Sequence, residues 1–222
     1  MQNTDCTGVI LAGGLNRRFG GRNKALMEVG GQTVLDRVLS AFAGLFSETM
    51  VVTNTPLAFL SCESLVVTDI IDLRTPLAGL HSALSYAKTP AIFVTACDTP
   101  FLSTPLIEAI LANMDTRSDI VVPETAKGLQ PLCAVYTKTC LPPIEKQLRR
   151  ESTTAPKDTN KPQGRNLRQG LKVLNFYGSV RVKKIPEQKL RRVDPGLLSF
   201  FNVNTPEDFA RAGQILSGNL DL

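Results

Sequence analysis

The 222-residue sequence predicts an α/β protein with a mostly parallel sheet. Two short segments, residues 7–12 (TGVILA) and 91–96 (AIFVTA), are almost continuously apolar, which is typical of strands buried on both faces. Segments with apolar residues at helical spacing follow both of them. Because strands that alternate with helices form parallel sheets, these observations favour an α/β architecture.

The other elements follow in order along the chain. Thr33 is placed to cap a helix whose apolar positions repeat at helical spacing as far as Phe46. Thr104 and Pro105 indicate the cap and the first residue of a later helix. Further strands are predicted at 50–52, 65–67, 120–122, 132–136 and 180–185, and further helices at 77–87, at 138–150 and from 205–206 onward.

Residues 151–168 (ESTTAPKDTNKPQGRNLR) interrupt this alternation. The segment has almost no apolar residues and contains two prolines. Such a composition cannot bury enough apolar surface to order itself, so it predicts a mobile insertion within a single domain of residues 1–222. A plain solvated insertion is favoured over a functional lid.

The composition excludes several classes of protein. A hydrophobic content of 43% with 20% charged residues is typical of a globular protein, and we expect it to be cytoplasmic because neither a bilayer-spanning run nor a secretory signal is apparent. The net charge of +5 suits phosphate-bearing ligands but is too small to indicate nucleic acid. A single histidine, His81, argues against His-based zinc sites and a Ser-His-Asp triad. Five cysteines without a CxxC pair fit a reducing compartment.

The loop after the first strand is the strongest functional signal. Residues 11–24 read LAGGLNRRFGGRNK, with glycine pairs at 13–14 and 20–21 that let the backbone approach a ligand and expose N–H groups to anionic oxygens. Arg18 and Lys24 are placed to neutralise a triphosphate. The loop matches neither the Walker A pattern nor the GxGxxG fingerprint. We interpret it as a phosphate-binding loop of another type.

Asp98 is the second signal. It follows the buried strand at residues 91–96 and so reaches the carboxyl edge of the sheet, where open α/β folds bind ligands. A carboxylate at that edge suits Mg²⁺, which prefers carboxylates together with phosphate oxygens. By itself, Asp98 is better explained as a cap of the turn before the Thr104 helix. Together with the phosphate loop, the metal role is favoured.

Two weaker motifs accompany these signals. Residues 76–79 (PLAG) suit a helix entry after proline and, equally well, the close approach of a planar base to Gly79. Residues 202–208 (NVNTPED) have the cap, proline and acidic first turn of a helix, which explains most of the segment structurally. Asn202 and Asn204 alternate about one residue, so both amides are placed to face a ligand or metal.

Taken together, these motifs carry a resemblance. LAGG followed by RFGG and a lysine, then PLAG, CDTPFL and FFNVNTPEDF, are similar in kind and order to those of the bacterial molybdenum cofactor guanylyltransferases. The resemblance spans residues 8–212. It implies a Rossmann-like three-layer sandwich of the nucleotide-diphospho-sugar transferase type. It also implies transfer of GMP from Mg²⁺-bound GTP to molybdenum-bearing molybdopterin, with pyrophosphate leaving.

The resemblance also implies roles for individual residues. Asp98 is expected to bind magnesium, and Lys24 to contact the phosphates. Arg18 is expected to act with them as a catalytic residue because of its place in the loop, independently of the resemblance. The position of the family's base-side asparagine falls at Thr53 or Asn54, and either assignment stays open. Asn202 and Asn204 are expected near the pterin phosphate. The full expected nucleotide-binding set is Leu11, Ala12, Gly13, Gly14, Lys24, Thr53, Asn54, Asp69, Pro76, Leu77, Ala78, Gly79 and Asp98.

Three departures from the family pattern stand out. Asn23 lies where the family usually has aspartate, Thr75 replaces the usual glycine before PLAG, and residues 151–168 are inserted. None of them changes Asp98 or Lys24.

Two alternatives remain open on the sequence. One is a related enzyme with another nucleotide such as CTP, which the LAGG start argues against since the cytidylyltransferases for the same pterin resemble LAAG. The other is a nucleotide-binding regulator without turnover. A glycosyltransferase is disfavoured because no DxD motif follows residues 91–96. Expected partners are GTP and molybdopterin, with proteins that insert molybdenum upstream or mature molybdoenzymes downstream, and neither nucleic acid nor membrane.

Overall fold

The computed structural model describes residues 5–13, 19, 23–154 and 172–218, and of residues 151–154 it describes only the backbone. The strands are β1 (Cys6–Leu11), β2 (Glu28–Val29), β3 (Gln32–Thr33), β4 (Thr49–Val52), β5 (Leu65–Val67), β6 (Ala91–Ala96), β7 (Ile120–Thr125), β8 (Gly128–Leu129), β9 (Cys133–Thr137) and β10 (Val182–Pro186). The helices are α1 (Val34–Phe42), α2 (Pro76–Tyr86), α3 (Thr104–Leu111), α4 (Leu141–Thr154), α5 (Glu187–Leu190) and α6 (Pro206–Leu216).

One mixed sheet organises the fold. Its strand order is β10-β7-β9-β6-β1-β4-β5, with β8 paired to β7. Strand β1 lies in the interior of the sheet and pairs in parallel with β4 and β6, and β4 pairs in parallel with β5. Strand β9 is antiparallel to both of its neighbours, β6 and β7. The predicted mostly parallel sheet is confirmed.

Helices cover both faces of the sheet. Side chains of α1 and α3 pack on one face with Ile10 and Phe93, and side chains of α2 and α4 pack on the other with Val9 and Val94. Successive residues of β1 and β6 therefore point to opposite cores, which explains why these strands are apolar at nearly every position. The result is the three-layer arrangement that the resemblance implies.

Several element boundaries differ from the sequence-based expectation. Helix α1 ends at Phe42 rather than continuing to Phe46, because Gly44 adopts a φ of 77°, a left-handed conformation that ends helices. The cap of α3 is Ser103, and Thr104 is its first residue, whose hydroxyl donates to the carbonyl of Ala41 instead. The prediction that Thr104 caps this helix is therefore wrong by one residue.

The hairpin β2–β3 was not predicted, and the fourth helix lies further along the chain than expected. Residues 138–140 form a 3₁₀ turn, and α4 runs from Leu141 to Thr154. The first four residues of the predicted insertion at 151–168 are consequently helical, and its remaining residues lie outside the described part of the chain. None of the helices that the structure describes is both long and apolar enough to span a bilayer.

Candidate active site

The candidate residues lie at one edge of the sheet, where four parallel strands end. Because β1, β4, β5 and β6 run in the same direction, their carboxyl ends lie side by side. Gly13 follows β1, Asn54 follows β4, Asp69 follows β5 and Asp98 follows β6. Open α/β sheets bind ligands at this edge, so the topology places the sequence motifs together.

Lys24 makes the central contact of the site. Its Nζ lies 3.1 Å from Oδ2 of Asp98, and the two side chains are mostly buried, with exposed fractions of 18% and 17%. Lys24 begins a short 3₁₀ turn in which Asn23 Oδ1 accepts a hydrogen bond from the N–H of Ala25 at 3.1 Å. The amide oxygen of Asn23 thus makes the cap that a carboxylate would make in its place, and this departure leaves Lys24 in position.

The segment before the last helix completes the surroundings of Lys24. Lys24 Nζ also donates to the carbonyl of Val203 at 3.2 Å and to Oδ1 of Asn204 at 3.0 Å. The N–H of Val203 donates to the carbonyl of Asp98 at 2.8 Å, which fixes this segment against the end of β6. Three oxygen atoms from distant parts of the chain therefore surround one ammonium group. We call Lys24, Asp98, Val203 and Asn204 the phosphate side of the site, after the phosphates that the sequence motifs predict here.

One of the two carboxylate oxygens of Asp98 lacks a partner among the described residues. Its Oδ1 is buried and has no hydrogen-bond partner among the residues that the structure describes. A buried carboxylate oxygen without a partner is costly unless a ligand, ion or water satisfies it. Asp98 does not cap α3, which begins from Ser103. A structural role of Asp98 in the turn before α3 would still leave its buried Oδ1 without a partner among the described residues.

The thiol of Cys97 lies next to Asp98 in sequence. Burial, followed by the charge of Asp98, raises the pKa of Cys97 to about 12. Because this pKa lies well above neutral pH, the protonated thiol is favoured over the nucleophilic thiolate.

A second group of residues lies beyond β1. Asn54 Nδ2 donates to Oδ2 of Asp69 at 2.9 Å. A methyl group placed on Gly13 would lie 3.4 Å from Asn54 Nδ2, and one placed on Gly79 would lie 3.4 Å from Leu11 Cδ2 and 3.7 Å from Asp69 Oδ1. These five residues therefore line one compact region, which we call the nucleoside side of the site, after the nucleoside that the sequence resemblance predicts here.

Asp69 is the ionisable group of the nucleoside side. Burial raises the pKa of its carboxyl above the usual range, and the hydrogen bond from Asn54 partly offsets that rise. Asn54 therefore favours the ionised form of Asp69.

The structure separates the two residues that the sequence left open. Thr53 is buried, and its hydroxyl donates to the carbonyl of Ala12 at 3.3 Å, so its side chain faces the protein. Asn54 is half-buried and faces Asp69. Of these two residues, Asn54 is therefore the one whose side chain lies on the nucleoside side.

The motif at residues 76–79 begins helix α2. Thr75 is its cap: the hydroxyl oxygen accepts a hydrogen bond from the N–H of Ala78 at 3.3 Å, and Pro76 occupies the first turn. Thr75 departs from the glycine usual in the family, and the departure supplies a helix cap. Pro76 is exposed, while Leu77, Ala78 and Gly79 are buried. Of this motif, Gly79 is the residue in contact range of the nucleoside side.

The other predicted residues divide into those near the site and those away from it. Leu11 is buried and adjoins Gly79 on the nucleoside side, Ala12 is buried within the fold, and Gly13 is exposed beyond the end of β1. Asn202 is exposed, and the structure brings Asn204 rather than Asn202 into contact with Lys24. Gly14 and Arg18 lie outside the described residues, so their roles stay predictions.

Sequence reasoning missed the backbone carbonyl of Val203. No side-chain pattern marks a main-chain acceptor, and only the pairing of Val203 with Asp98 reveals it. It also missed Ser199, a fully buried residue whose hydroxyl accepts from the N–H of Ser103 at 3.2 Å and contacts the carbonyl of Phe101 at 3.3 Å. These bonds hold the loop after Asp98 against the chain before α6.

The edge location, the lysine and carboxylate, and the adjoining nucleoside side define a class of protein. A mostly parallel α/β sheet with this site is that of a nucleotidyltransferase. The model of the MobA-like NTP transferase domain matches residues 8–158. The chain belongs to this family of nucleotidyltransferases, within it to the molybdenum cofactor guanylyltransferases.

Individual relatives agree with the family assignment. The chain is 41% identical over 207 residues to the molybdenum cofactor guanylyltransferase of Desulfosudis oleivorans, which covers 93% of each protein. The crystal structure of molybdopterin-guanine dinucleotide biosynthesis protein A from Archaeoglobus fulgidus matches with a TM-score of 0.75 and 26% identity, over 96% of this chain and 99% of that one. A 4-diphosphocytidyl-2C-methyl-D-erythritol synthase from Anaerococcus prevotii, at 15% identity and a TM-score of 0.66 over 96% and 99% of the two chains, shows the shared fold alone.

Proposed function

We propose that this nucleotidyltransferase transfers GMP from GTP to molybdenum-bearing molybdopterin and releases pyrophosphate. The observation that carries the proposal is the meeting of Lys24 and Asp98 at the carboxyl edge of the sheet, 3.1 Å apart. The relatives named for this activity support it, since the match spans nearly the whole chain.

The donor triphosphate would lie along the phosphate side. Lys24 supplies a positive charge at the end of the glycine-rich loop, and Arg18 is a further cation within that loop. Charge that develops on the transferred phosphoryl group and on the leaving pyrophosphate is stabilised by such fixed cations. Lys24 would contact the β- and γ-phosphates when they are present.

The carboxylate of Asp98 is suited to bind magnesium. Its buried Oδ1 has no protein partner among the described residues, and Val203 O and Asn204 Oδ1 are further hard oxygen donors nearby. No cluster of three or more His, Cys, Asp or Glu side chains occurs in the part of the chain described here, which suits an ion held by one carboxylate together with substrate phosphates. Bound Mg²⁺ supplies Lewis-acid polarisation of a phosphoryl oxygen.

The acceptor needs no protein base. The attacking group is a phosphate monoester, which is already ionised at pH 7. Asn204, with Asn202 beside it, would orient this phosphate from the C-terminal segment. Cys97, as a neutral thiol, contributes no competing nucleophile.

The nucleoside of GTP would lie against the other group of residues. Gly79 leaves room for a planar base next to Leu11, and Asn54 and Asp69 offer an amide and a carboxylate for hydrogen bonds. An ionised carboxylate accepts hydrogen bonds only, which suits the N–H groups of guanine or the hydroxyls of ribose.

One experiment tests the function directly. The full chain is incubated with Mg²⁺, molybdenum-loaded molybdopterin and labelled GTP, CTP or ATP, and the dinucleotide product and pyrophosphate are quantified. We expect a guanine dinucleotide and pyrophosphate in equal amounts. Turnover of CTP in preference to GTP would show that the donor is CTP. GTP binding without pyrophosphate release would indicate a regulator.

Asp98→Ala tests the role of the carboxylate. Removing one charge-stabilising group at a reacting centre costs on the order of 10²-fold in turnover, and we expect a loss of that size in kcat. The matched control is Asp115→Ala, because Asp115 pairs with Lys183 near the opposite end of the sheet strands. Near-native kcat in Asp98→Ala with saturating Mg²⁺ would rule out this mechanism.

We also propose that residues 1–222 form one domain and that the protein is cytoplasmic. The single main sheet includes strands from both halves of the chain, and all five cysteines are free thiols. Proteins that supply molybdenum-loaded pterin and take up the product would complete its partners.

A further inference from the structure

Asp69 lies near the start of the connection between β5 and α2. Residues 68–75 join these two elements without forming a helix or a strand. The side chain of Asp69 is held from the end of β4 by the hydrogen bond that Asn54 donates to it at 2.9 Å. A bond to the side chain does not fix the main chain that follows, so the position of this carboxylate also depends on what holds Ile70.

Ser82 of helix α2 holds the main chain directly after Asp69. Its hydroxyl oxygen accepts a hydrogen bond from the N–H of Ile70 at 2.8 Å, and the same hydroxyl donates to the carbonyl of Ala78 at 3.0 Å. Ser82 is fully buried. The first turn of α2 is followed by Gly79, where an added methyl group would lie 3.7 Å from Asp69 Oδ1. One hydroxyl therefore ties the residue after Asp69 to the part of α2 that borders the nucleoside side.

A second serine on the same helix shows how Ser82 differs from an ordinary helical serine. A serine within a helix commonly donates to the carbonyl four residues before it. Ser85 does so with the carbonyl of His81 at 2.8 Å, and Ser85 is exposed. Ser82 makes the equivalent bond to Ala78, but it also accepts the N–H of Ile70 from outside the helix. The bond to Ala78 belongs to the helix, whereas the bond to Ile70 joins two segments of the nucleoside side.

We infer that Ser82 is a positioning residue for the donor nucleotide, which holds the Asp69 carboxylate against the nucleoside without touching it, and the inference rests on the proposed function. Removing the hydroxyl breaks both of its hydrogen bonds. Ile70 is half exposed, so its freed N–H can turn to water and the chain beside Asp69 can shift. Such a shift weakens contacts to the nucleoside and leaves the phosphate side in place.

The test compares Ser82→Ala with Ser85→Ala. We expect Ser82→Ala to raise KM for GTP, and the Kd of Mg²⁺-bound GTP, about 3- to 10-fold, the range that loss of one or two hydrogen bonds predicts. In that variant kcat and KM for the acceptor should stay within about 2-fold of the wild type, because the reacting groups are untouched. Ser85→Ala removes only the helical bond and should leave the Kd unchanged. Amide hydrogen exchange at residues 69–72 should become faster in Ser82→Ala and not in Ser85→Ala.

Two further variants separate positioning from stability and from packing. Ser64 shares a hydrogen bond of 2.8 Å with Thr49 at the amino ends of β4 and β5, the ends remote from the site. Ser64→Ala should lower the thermal unfolding midpoint but leave the Kd for GTP unchanged. Ser82→Cys keeps the volume of the side chain but offers only a weak donor and acceptor, so it should match Ser82→Ala in Kd.

A double variant tests whether Ser82 acts through Asp69. In an Asp69→Ala background the carboxylate is absent, so adding Ser82→Ala should raise the Kd by less than about 2-fold. An independent contribution of Ser82 would instead multiply the effects of the two single substitutions.

Four results would overturn the inference: an unchanged Kd in Ser82→Ala, an equal rise in Ser85→Ala or Ser64→Ala, a wild-type Kd in Ser82→Cys, or multiplied effects of the Ser82 and Asp69 substitutions. If Ser82→Ala does not fold, Ser82→Cys decides by the same criteria. The Kd is measured by titration without acceptor, using whichever of Mg²⁺-bound GTP, CTP and ATP the wild type binds, and a wild type that binds none of them overturns the inference as well. Failure of the proposed function shows separately, as absent dinucleotide formation by a wild type that binds nucleotide.

Discussion

The nucleoside side and the phosphate side of the site are built in different ways. The nucleoside side combines residues at or just beyond the ends of β1, β4 and β5 with Gly79 of α2. All of them lie within the first 79 residues, and close packing around Gly13 and Gly79 shapes this side. The phosphate side joins Lys24 to Asp98 and to Asn204, which is 180 positions away in sequence, through hydrogen bonds to one ammonium group. The shape of the nucleoside side depends on two glycines without side chains, whereas the phosphate side depends on charged groups.

This difference predicts different responses to mutation. Fixed charges act most strongly where charge develops in the transition state, so the phosphate side should control kcat. Shape acts on the bound nucleoside, which hardly changes during transfer, so the nucleoside side should control KM. A variant that reversed this division would contradict the comparison.

The largest effect after Asp98→Ala is expected for Lys24→Met. This substitution keeps the length and apolar body of the side chain but removes the ammonium group that three oxygens surround. We expect kcat/KM for GTP to fall on the order of 10²-fold, most of it in kcat, because a charge-assisted contact to the reacting phosphates is lost. Steady-state kinetics with varied GTP measures the division between kcat and KM.

Lys24→Arg serves as the matched control for this variant. Guanidinium keeps the charge but not the compact geometry, so it should restore part of the rate. A loss of less than about 3-fold in Lys24→Met would show that the ammonium group has no part in the transfer step.

A smaller effect, confined to KM, is expected on the nucleoside side for Gly79→Ala. The added methyl group would lie 3.4 Å from Leu11 Cδ2 and 3.7 Å from Asp69 Oδ1, ordinary contact distances that the fold accommodates. It would nonetheless fill space next to the nucleoside. We expect KM for GTP to rise about 5-fold, the cost of modest steric displacement of a bound group, with kcat little changed.

Gly8→Ala is the contrasting glycine substitution. A methyl group there would lie 2.6 Å from Phe46 and 2.8 Å from Phe42, inside the core and away from the site. Overpacking of this kind costs about 1–3 kcal/mol of stability. Gly8→Ala should therefore lower the thermal unfolding midpoint, and Gly79→Ala should raise KM for GTP. The opposite pattern would show that Gly79 serves the fold alone.

The smallest effect, dependent on pH, is expected for Asn54→Ala. The hydrogen bond from Asn54 lowers the pKa of Asp69, which burial has already raised. Without Asn54 that pKa rises further, so Asp69 becomes protonated at a higher pH as the solution is acidified. We expect KM for GTP to rise a few-fold at pH 8, as for loss of one hydrogen bond, and more steeply than in the wild type as pH falls.

KM for GTP measured across pH in Asn54→Ala and the wild type tests this coupling. Parallel profiles would show that Asn54 does not act through Asp69. Asn54→Gln, which keeps the amide but displaces it, should give an intermediate profile.

Much of the fold could be predicted from local pattern. The strands at residues 7–12 and 91–96 are recognisable because a central strand buried on both faces has to be apolar at nearly every position. Thr33 and Thr205 are recognisable as helix caps because a hydroxyl at that position satisfies a free N–H, and both do so in the structure. The hairpin β2–β3 escaped prediction because two-residue strands have too few positions to show a pattern.

The candidate site could be predicted in part. Lys24, Asp98 and Gly79 follow from motif and placement, because the carboxyl ends of parallel strands meet at one edge. Asp69 follows only from the resemblance to the family. The choice between Thr53 and Asn54 could not follow from sequence, since adjacent residues differ only in the direction of their side chains, and burial decides that direction. The position of β9 between β6 and β7, antiparallel to both, could not be predicted either, because the sequence of a single strand does not show which strands it pairs with.

The sequence alone determined the α/β class and the resemblance to guanylyltransferases, and it predicted a phosphate-binding loop and a metal-binding carboxylate at the end of the second buried strand. These depend on residue types at short spacing, which a linear chain displays. Tertiary structure decided that Lys24 faces Asp98, the carbonyl of Val203 and Asn204 at once, and that Ser82 holds the main chain directly after Asp69. Contacts between segments some 180 positions apart are set by how helices and sheet pack, and no local spacing records them.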